Sequence, residues 1–548
     1  MGFGILEDHK LPNVPGTVVL DDEVAHVEGL SGLKHAKGKG QHVVLVPQPS
    51  EDPNDPLNWP LWKKEMITWI LCFGAILNCA TNGPFLNASY VAIAERLQTP
   101  LTSVVVLSGY NLLAAGATGP LYCALSRRYG KRPCFLASTL FCIIGTAIGE
   151  SKISFNYLRA ARVIQGFSTS AFESLTVSAI GDMYFVHQRG LRVSILTFNL
   201  YAASGLASII CGQVFDRLGW LWLFHLFQIF VIIQFVLMFF FCPETSYIRD
   251  HLYDIDNQQE EKLDELLHLE EITRVDDKTV QRTISRESQT PSIPRKKTFV
   301  QELAIYTRVY SRDNLLKLIF GPWLALLNPG ACYSIVCAGI LSSFYVGASI
   351  FAALVFSGPP WLYNVSQVAY IGTGPFVGGM IGSIIMTLVF DRASTWMARL
   401  NNGVYEPEFR LVFMLPTMII YAVGTFLYGH FMNIGAAGPL CSFFWGVMQC
   451  GIVFGLCSTT SYALDAFRED SNEIFILAML FKNFLFYGYS YFVNNWVVEK
   501  GISQVMNVFG GVGVFFCLLA IVFYAFGKRL RSWWSRHNLF RMFNMHGE

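Results

Sequence analysis

Charge is scarce in this sequence. Asp, Glu, Lys and Arg make up 14% of its 548 residues, against about 25% in ordinary soluble domains. That is too little to coat a soluble surface of this size. The charges also nearly cancel, 40 basic against 39 acidic, so nothing in the balance marks a nucleic-acid partner. Metal and redox centres are missing as well. The 13 cysteines lie almost entirely inside apolar runs, as Cys72, Cys142, Cys337 and Cys517 do, and no Cys-x-x-Cys pair has ligand spacing. They read as small buried thiols. No phosphate-binding loop, metal-spaced His/Cys set or Ser-His-Asp order is present. The expectation is therefore no cofactor, no metal, no enzymatic activity and no ATP drive from this chain. Residues 1–60 carry no signal peptide and are rich in Gly, Pro and Asp, so the first apolar span is expected to act as its own insertion signal.

Hydrophobicity fills the space that charge leaves. The chain is 53% hydrophobic, with 45 phenylalanines and a mean hydropathy of +0.41. A helix needs roughly 20 apolar residues to cross a bilayer. Twelve such runs occur, near 66–90, 102–124, 134–150, 157–184, 192–214 and 220–242, and again near 329–356, 367–390, 411–430, 438–462, 473–497 and 504–527. Between the sets lies a polar stretch holding Gln258-Gln259-Glu260-Glu261 and Arg295-Lys296-Lys297, which cannot span. The pattern predicts an all-α membrane protein. Its parts are an N-terminal tail over 1–60, a six-helix half over 61–243, a linker over 244–316, a second half over 317–527 and a C-terminal tail over 528–548. The linker is expected to be unfolded and protease-sensitive, apart from an amphipathic stretch near 301–316.

Lys and Arg in short loops orient the spans. Arg127, Arg128, Lys131 and Arg132 follow span 2; Arg189 and Arg192 follow span 4; Arg392, Arg399 and Arg410 follow span 8. The C-terminal tail adds Lys528, Arg529, Arg531, Arg536 and Arg541, while the opposite loops hold mainly Arg96, Lys152, Arg159, Arg217 and Lys500. Both termini and the linker are thereby placed in the cytoplasm. The two Asn-x-Ser/Thr sequons, at Asn87 and Asn364, fall at the outer ends of spans 1 and 7. Asn364, beside Gly358-Pro359-Pro360, is the better glycan acceptor, because Asn87 sits close to the lipid.

Several short segments then carry a family resemblance. Asp52-Pro53-Asn54-Asp55-Pro56-Leu57-Asn58-Trp59-Pro60 precedes span 1, and Arg128-Tyr129-Gly130-Lys131-Arg132-Pro133 follows span 2. Span 4 contains Arg162-Val163-Ile164-Gln165-Gly166 and ends in Gly181-Asp182-Met183-Tyr184, with Arg189-Gly190 beyond. Span 6 ends in Pro243-Glu244-Thr245-Ser246-Tyr247, and Pro407-Glu408-Phe409-Arg410-Leu411 precedes span 9. In order and placement these segments resemble the major facilitator superfamily over roughly 51–530, most of all the fungal twelve-span transporters related to drug:proton antiporters. The chain departs from the family pattern in three places. Cys123 and Arg127 stand where the loop signature has Gly and Asp. Span 5 reads Gly205-Leu206-Ala207-Ser208 without a Pro, and Leu221 replaces Arg in Gly219-Trp220-Leu221-Trp222.

The resemblance implies the major facilitator fold, a cavity lined by spans 1, 4, 7 and 10, and a latch that holds the outward-open state. The latch would use Arg128, Gly130, Lys131 and Arg132 against Asp182 and Arg189; the arginines are equally explained as positive-inside anchors. Charges at bilayer depth usually face a cavity or a partner. Arg162 and Glu173, 11 residues apart on span 4, share a helix face at about 16 Å separation. Glu173, near mid-span, is placed to carry a proton, because burial raises a carboxylate's pKa, or to bind a cationic solute, or to pair with a basic residue of another span. Gln165 belongs to the same motif. Lys482 with Asn483 in span 11 calls for a charge partner. Asn78 and Asn82, four apart in span 1, share a face and either bind solute or tie helices. Gln449 and Tyr333 complete the candidate pathway. Gly372, Gly374, Gly378, Gly379 and Gly382 in span 8 suit close helix contact. Arg282-Thr283-Ile284-Ser285 and Thr290-Pro291 are candidate kinase sites in the linker.

The expected function is proton-coupled secondary active transport of a small organic solute by alternating access. The alternative is a nutrient sensor or scaffold that keeps the transporter fold without moving solute. The expected partners are the solute, protons and membrane lipid. The chain is expected to act as a monomer in the plasma membrane rather than the vacuolar one.

Overall fold

The computed structural model of the chain describes residues 4–6, 10, 14, 16–19, 50, 52–82, 84–185, 192, 195–196, 198–199, 203–247, 295–311, 314–401, 404–467 and 470–537. Long apolar runs become helices because backbone N–H and C=O groups in lipid must pair within their own segment. In the first half these are α1 (Leu61–Asn82), α2 (Pro84–Asn87), α3 (Tyr90–Leu97), α4 (Leu101–Tyr129), α5 (Lys131–Ser151), α6 (Phe155–Met183), α7 (Ala203–Leu218) and α8 (Trp220–Phe241). Two short helices, α9 (Phe299–Glu302) and α10 (Leu315–Phe320), lead into the second half. There follow α11 (Pro329–Ser357), α12 (Val365–Ile371), α13 (Thr373–Leu400), α14 (Met414–Asn433), α15 (Gly438–Ala466), α16 (Ser471–Lys500) and α17 (Ile502–Arg536). At 29 residues, α4 is about 43 Å long, enough to cross a hydrocarbon layer of about 30 Å.

Among the described residues, nine helical segments are long and apolar enough to cross a membrane. The polar helix α6 is not one of them, although it lies in the position of span 4. The reason is where its polar groups point. Arg162, Gln165, Ser168, Thr169 and Ser170 are fully buried, so α6 turns its polar face into the protein rather than toward lipid. The described part of α7 is only 16 residues long.

Three boundaries differ from the hydropathy reading. The first span is interrupted by a turn at Ala88 and Ser89, between α2 and α3. The described residues of the stretch near 301–316 are mostly irregular, with α9 and α10 at its ends. The last helix runs past 527 to Arg536, carrying buried Arg531 and Trp534.

The two halves meet along α4 and α16 on one side and along α7 with α12 and α13 on the other. Within the second half, α13 and α15 touch backbone to backbone. A Cβ on Gly374 would lie 1.8 Å from the Ser442 carbonyl oxygen, and one on Gly378 1.9 Å from that of Gly446. These glycines are required by contact, not by conformation.

The N-terminal segment reaches across to the second half. Ile5 packs with Met397, Ala398 and Phe409, Leu6 donates to the Ala525 carbonyl at 3.0 Å, and Val18–Val19 pairs antiparallel with Val404–Tyr405. Residues 52–60 instead hold the first half and the end of the linker. Asn54 accepts from Lys297 N at 2.8 Å and donates to the Arg295 carbonyl at 3.1 Å. Both tails, the loop after α4 and the linker end thus lie at one face of the bundle, called here the terminal face.

Candidate functional site

Helix α6 organises the centre. Near its start the Arg162 guanidinium, fully buried, donates to Gln165 Oε1 at 3.2 Å and to Ser108 Oγ at 3.0 Å, with Phe85's ring 6.0 Å away. Gln165 Nε2 in turn donates to Thr146 Oγ1 at 3.1 Å. The chain of bonds continues outward. Tyr90's hydroxyl bridges Ser108 Oγ and Asn87 Oδ1, each at 2.7 Å, and Asn87 Nδ2 donates to Ser349 Oγ at 2.9 Å. Ser349 lies on α11, so the relay from Arg162 ends in the other half. No carboxylate among the described residues comes within ion-pair distance of Arg162. Asn87 is buried and bonded on both sides, whereas Asn364, the N-cap of α12, is exposed.

Three turns along α6, Glu173 meets Lys482 of α16 in an ion pair, and both side chains are almost wholly buried, 11% and 12% exposed. The structure therefore joins two residues that the sequence presents separately, and joins them across the halves. Among the described residues Glu173 Oε2 has no hydrogen-bond partner, and neither have Ser170 Oγ one turn earlier and both amide atoms of Asn483. These four atoms flank the same stretch of α4. A Cβ on Gly119 would lie 3.6 Å from Ser170 Oγ, and one on Gly116 3.2 Å from Asn483 Cβ. Buried polar atoms are nearly always satisfied by protein, water or ligand, so this seam is where a bound molecule has groups to answer.

The other candidates lie elsewhere. Asn78 donates to the Gly74 carbonyl at 2.8 Å and accepts from Ser168 of α6, which ties α1 to α6. Asn82's side chain lies outside the described residues. Tyr333 donates to the Phe516 carbonyl at 3.3 Å and stacks on Phe523 at 4.4 Å, inside the second half. Gln449 is fully buried on α15.

At the terminal face Lys131 pairs with Asp182. Glu244 Oε1 and Oε2 accept from the first two amides of α5, Lys131 N at 2.9 Å and Arg132 N at 3.0 Å, a charge placed where a helix N-terminus favours it. Gly130 turns the chain there with φ +95°, and a Cβ would strike Glu244 Oε2 at 2.3 Å. Arg132 is buried and donates to the carbonyls of Phe239 at 2.7 Å and Leu303 at 3.1 Å. Arg128's carbonyl accepts from Tyr310 N at 2.8 Å. Burial, with Glu244 nearby, pushes the Tyr310 phenol up to about 12, so it stays neutral across the physiological range. Arg189 lies outside the described residues; Arg192 pairs with Glu65.

One contact here was not anticipated. Arg127, which replaces the signature Asp, pairs with Glu473 in the first turn of α16. A cation in an acidic position could have signalled a carboxylate facing it, but 346 positions separate the two. Cross-half bonds thus stand at both faces, Arg127–Glu473 at one and Ser366 Oγ–Asp216 Oδ2, at 2.5 Å, at the other. A partly exposed pair is worth about 1 kcal/mol after screening, and reversing one charge adds a repulsion of similar size. Arg127→Glu is therefore expected to slow solute flux by about thirtyfold. The double variant Arg127→Glu/Glu473→Arg should recover it. Equal flux by the single variant and the wild type would show that the pair does not hold the two halves together.

Two bundles packed face to face, with buried charge on the seam between them, define a polytopic helical membrane transporter. Residues 69–470 match the Major Facilitator Superfamily, and the chain belongs to that family. It is 25% identical to an uncharacterized MFS-type transporter of Schizosaccharomyces pombe over 96% of this chain and 94% of that one. It is 23% identical to Protein HOL1 of Saccharomyces cerevisiae, covering 95% and 96%. To the MFS antiporter QDR3 of Candida albicans it is 30% identical over 39% of this chain and 30% of that one. The fold resembles the partially occluded inward-open xylose transporter XylE of E. coli, with a TM-score of 0.53 at 14% identity, covering 84% of this chain and 99% of that one.

Proposed function

We propose that this transporter moves a small organic solute by alternating access, with proton movement as the driving force. The Glu173–Lys482 pair is the observation that supports this reading most directly. A buried pair inside one half would be scaffold; a pair across the seam must separate whenever the halves rock apart. Separation takes the two charges from each other at membrane depth, which is costly unless something takes the partner's place. A proton on Glu173 meets one of them and frees Lys482. The unpartnered acceptors at Glu173 Oε2 and Asn483 favour a solute with a cationic or hydrogen-bonding group. The Candida albicans relative is named an antiporter, which agrees with exchange of one species for another.

The decisive measurement is flux in proteoliposomes under an imposed pH gradient, screened with polyamines, amino acids and toxic organic compounds. Gradient-dependent flux of any of these supports the proposal. Tight binding with no flux would instead mark a sensor that keeps the transporter fold.

Arg162 has its role in the same cycle. It heads the hydrogen-bond relay to Ser349, and a buried cation with no carboxylate needs a reason to be there. Arg162→Ala is expected to abolish transport while the protein still inserts, with surface labelling as the check on insertion. Normal transport would reduce the motif to packing.

The basic loops orient the terminal face, both termini and the 244–316 linker toward the cytoplasm, and the chain acts as a monomer in the plasma membrane. Protease added outside sealed cells should leave the linker whole, and Asn364→Gln should remove any glycan.

A further inference from the structure

A cleft of about 950 Å³ opens at the terminal face, between the segment before α1, the end of α8 and the end of the linker. Its lining includes Trp59, Trp62, Lys63, Phe241, Lys296 and Lys297. One carboxylate shares it. Glu302 pairs with Lys63 at 2.8 Å, and Lys63 also sits 4.5 Å from the Trp59 ring centroid. Lys296 and Lys297 are exposed, with no carboxylate in ion-pair distance among the described residues. The cleft therefore keeps a positive surplus of two. That surplus is held in place: Asn54 bonds both the Lys297 amide and the Arg295 carbonyl, which fixes the basic run against the bundle.

The rim of the cleft is apolar. Trp62 is 68% exposed and Phe299 58%, and Leu61, Val300, Phe240 and Phe241 are exposed beside them. Large apolar side chains do not gather like this against water. At the edge of a bilayer they do, with Trp at the headgroup level and Lys just outside it. Apolar lips on the lipid side and exposed ammonium groups, carried on an anchored backbone, match a molecule with acyl chains and a negative head.

We propose that this cleft binds one anionic phospholipid of the leaflet it faces, the headgroup phosphate on Lys296 and Lys297 and the upper acyl chains against Trp62, Phe241 and Phe299. That the leaflet is the cytoplasmic one rests on the orientation proposed above. The cleft is lined by the linker end and by α1, which move with the first half, so lipid occupancy bears on the half that rocks.

Native mass spectrometry of the full-length chain in detergent tests this without regard to orientation, because both sides are then open. The purified protein is offered phosphatidylserine and phosphatidylcholine together, with and without millimolar inorganic phosphate. The expected result is one retained phosphatidylserine, little phosphatidylcholine, and no displacement by phosphate. Retention should fall on the order of tenfold in Lys296→Glu/Lys297→Glu. Both lysines are exposed and lie outside the transport pathway, so this variant should keep the wild-type melting midpoint. Trp62→Ala should weaken retention independently. Equal retention of phosphatidylserine by wild type and the double-lysine variant would overturn the proposal. So would full displacement by inorganic phosphate, which would mark a soluble anion as the ligand. A failure of the orientation alone would show in the protease experiment and leave the lipid result standing.

Discussion

Glu173→Gln is expected to lose uphill accumulation while keeping exchange of solute down its own gradient. Gln preserves the shape of Glu173 and mimics its protonated form, so a cycle that requires the proton to come and go stalls at the coupling step. Net uptake should then settle at equilibrium with the outside solution and stop responding to external pH. The same change removes the anion that Lys482 faces at close range, and removing one partner of a buried pair typically costs about 3–5 kcal/mol. A lower melting midpoint is therefore expected alongside the transport defect. The two effects separate in the double variant. Glu173→Gln/Lys482→Gln removes both charges and should recover the melting midpoint. If the pair is scaffold only, transport recovers with it. If Glu173 carries the coupling proton, stability returns and pH-driven accumulation does not. A solute that contacts Glu173 directly predicts a third pattern, with weaker binding and slower exchange in the single variant. Accumulation that stays normal and pH-dependent in a well-folded Glu173→Gln protein would sink the coupling proposal.

Much of the architecture is legible in local composition, because lipid acts on each span separately. An apolar run such as 220–242 is long enough to cross and carries no Asp, Glu, Lys or Arg, and it becomes α8. Polar spans are harder for the same reason. The α6 segment is recognisable in sequence through its Arg-x-x-Gln-Gly motif, while its hydropathy falls short because Arg162, Gln165 and Ser168 face protein. Pairing is where the sequence stops informing. Glu173 and Lys482 each stand out as intramembrane charges, yet they are 309 positions apart, and nothing local says they meet. Arg127 reads as a departure from the family signature until Glu473 is seen opposite it. Asn78 and Tyr333 had polar groups at plausible depth, but depth does not say which way a side chain points. One bonds Gly74 and Ser168, and the other packs on Phe523.

Arg531 shows the same limit at the end of the chain, and its replacement is expected to have the largest effect on stability. In sequence it is one of five basic residues in a tail. In the structure it is 2% exposed on the last turns of α17, with Nε donating to Glu408 Oε1 at 2.9 Å and Nη2 to Glu408 Oε2 and Glu406 Oε2, each at 2.8 Å. Lys528 adds a second cation on Glu406 Oε1 at 2.7 Å, so two carboxylates face two cations and the cluster is neutral. Thr17 of the N-terminal segment donates to Glu406 Oε2 at 2.8 Å, which hangs the antiparallel Val18–Val19 pairing on the same carboxylate. No other space is available, since a Cβ on Gly527 would lie 2.4 Å from Glu408 Oε1. Arg531→Leu leaves a net negative charge buried among apolar neighbours, and losing one partner of such a cluster costs about 3–5 kcal/mol. The melting midpoint should fall by several degrees. A thiol-reactive dye reports it directly, because the twelve described cysteines are free and buried or half-buried until the helices part. The N-terminal segment should become cleavable at the same time. Arg531→Gln combined with Glu408→Gln restores neutrality and should recover most of the midpoint. If the double variant melts as low as Arg531→Leu, the loss comes from packing around the guanidinium rather than from the uncompensated charge.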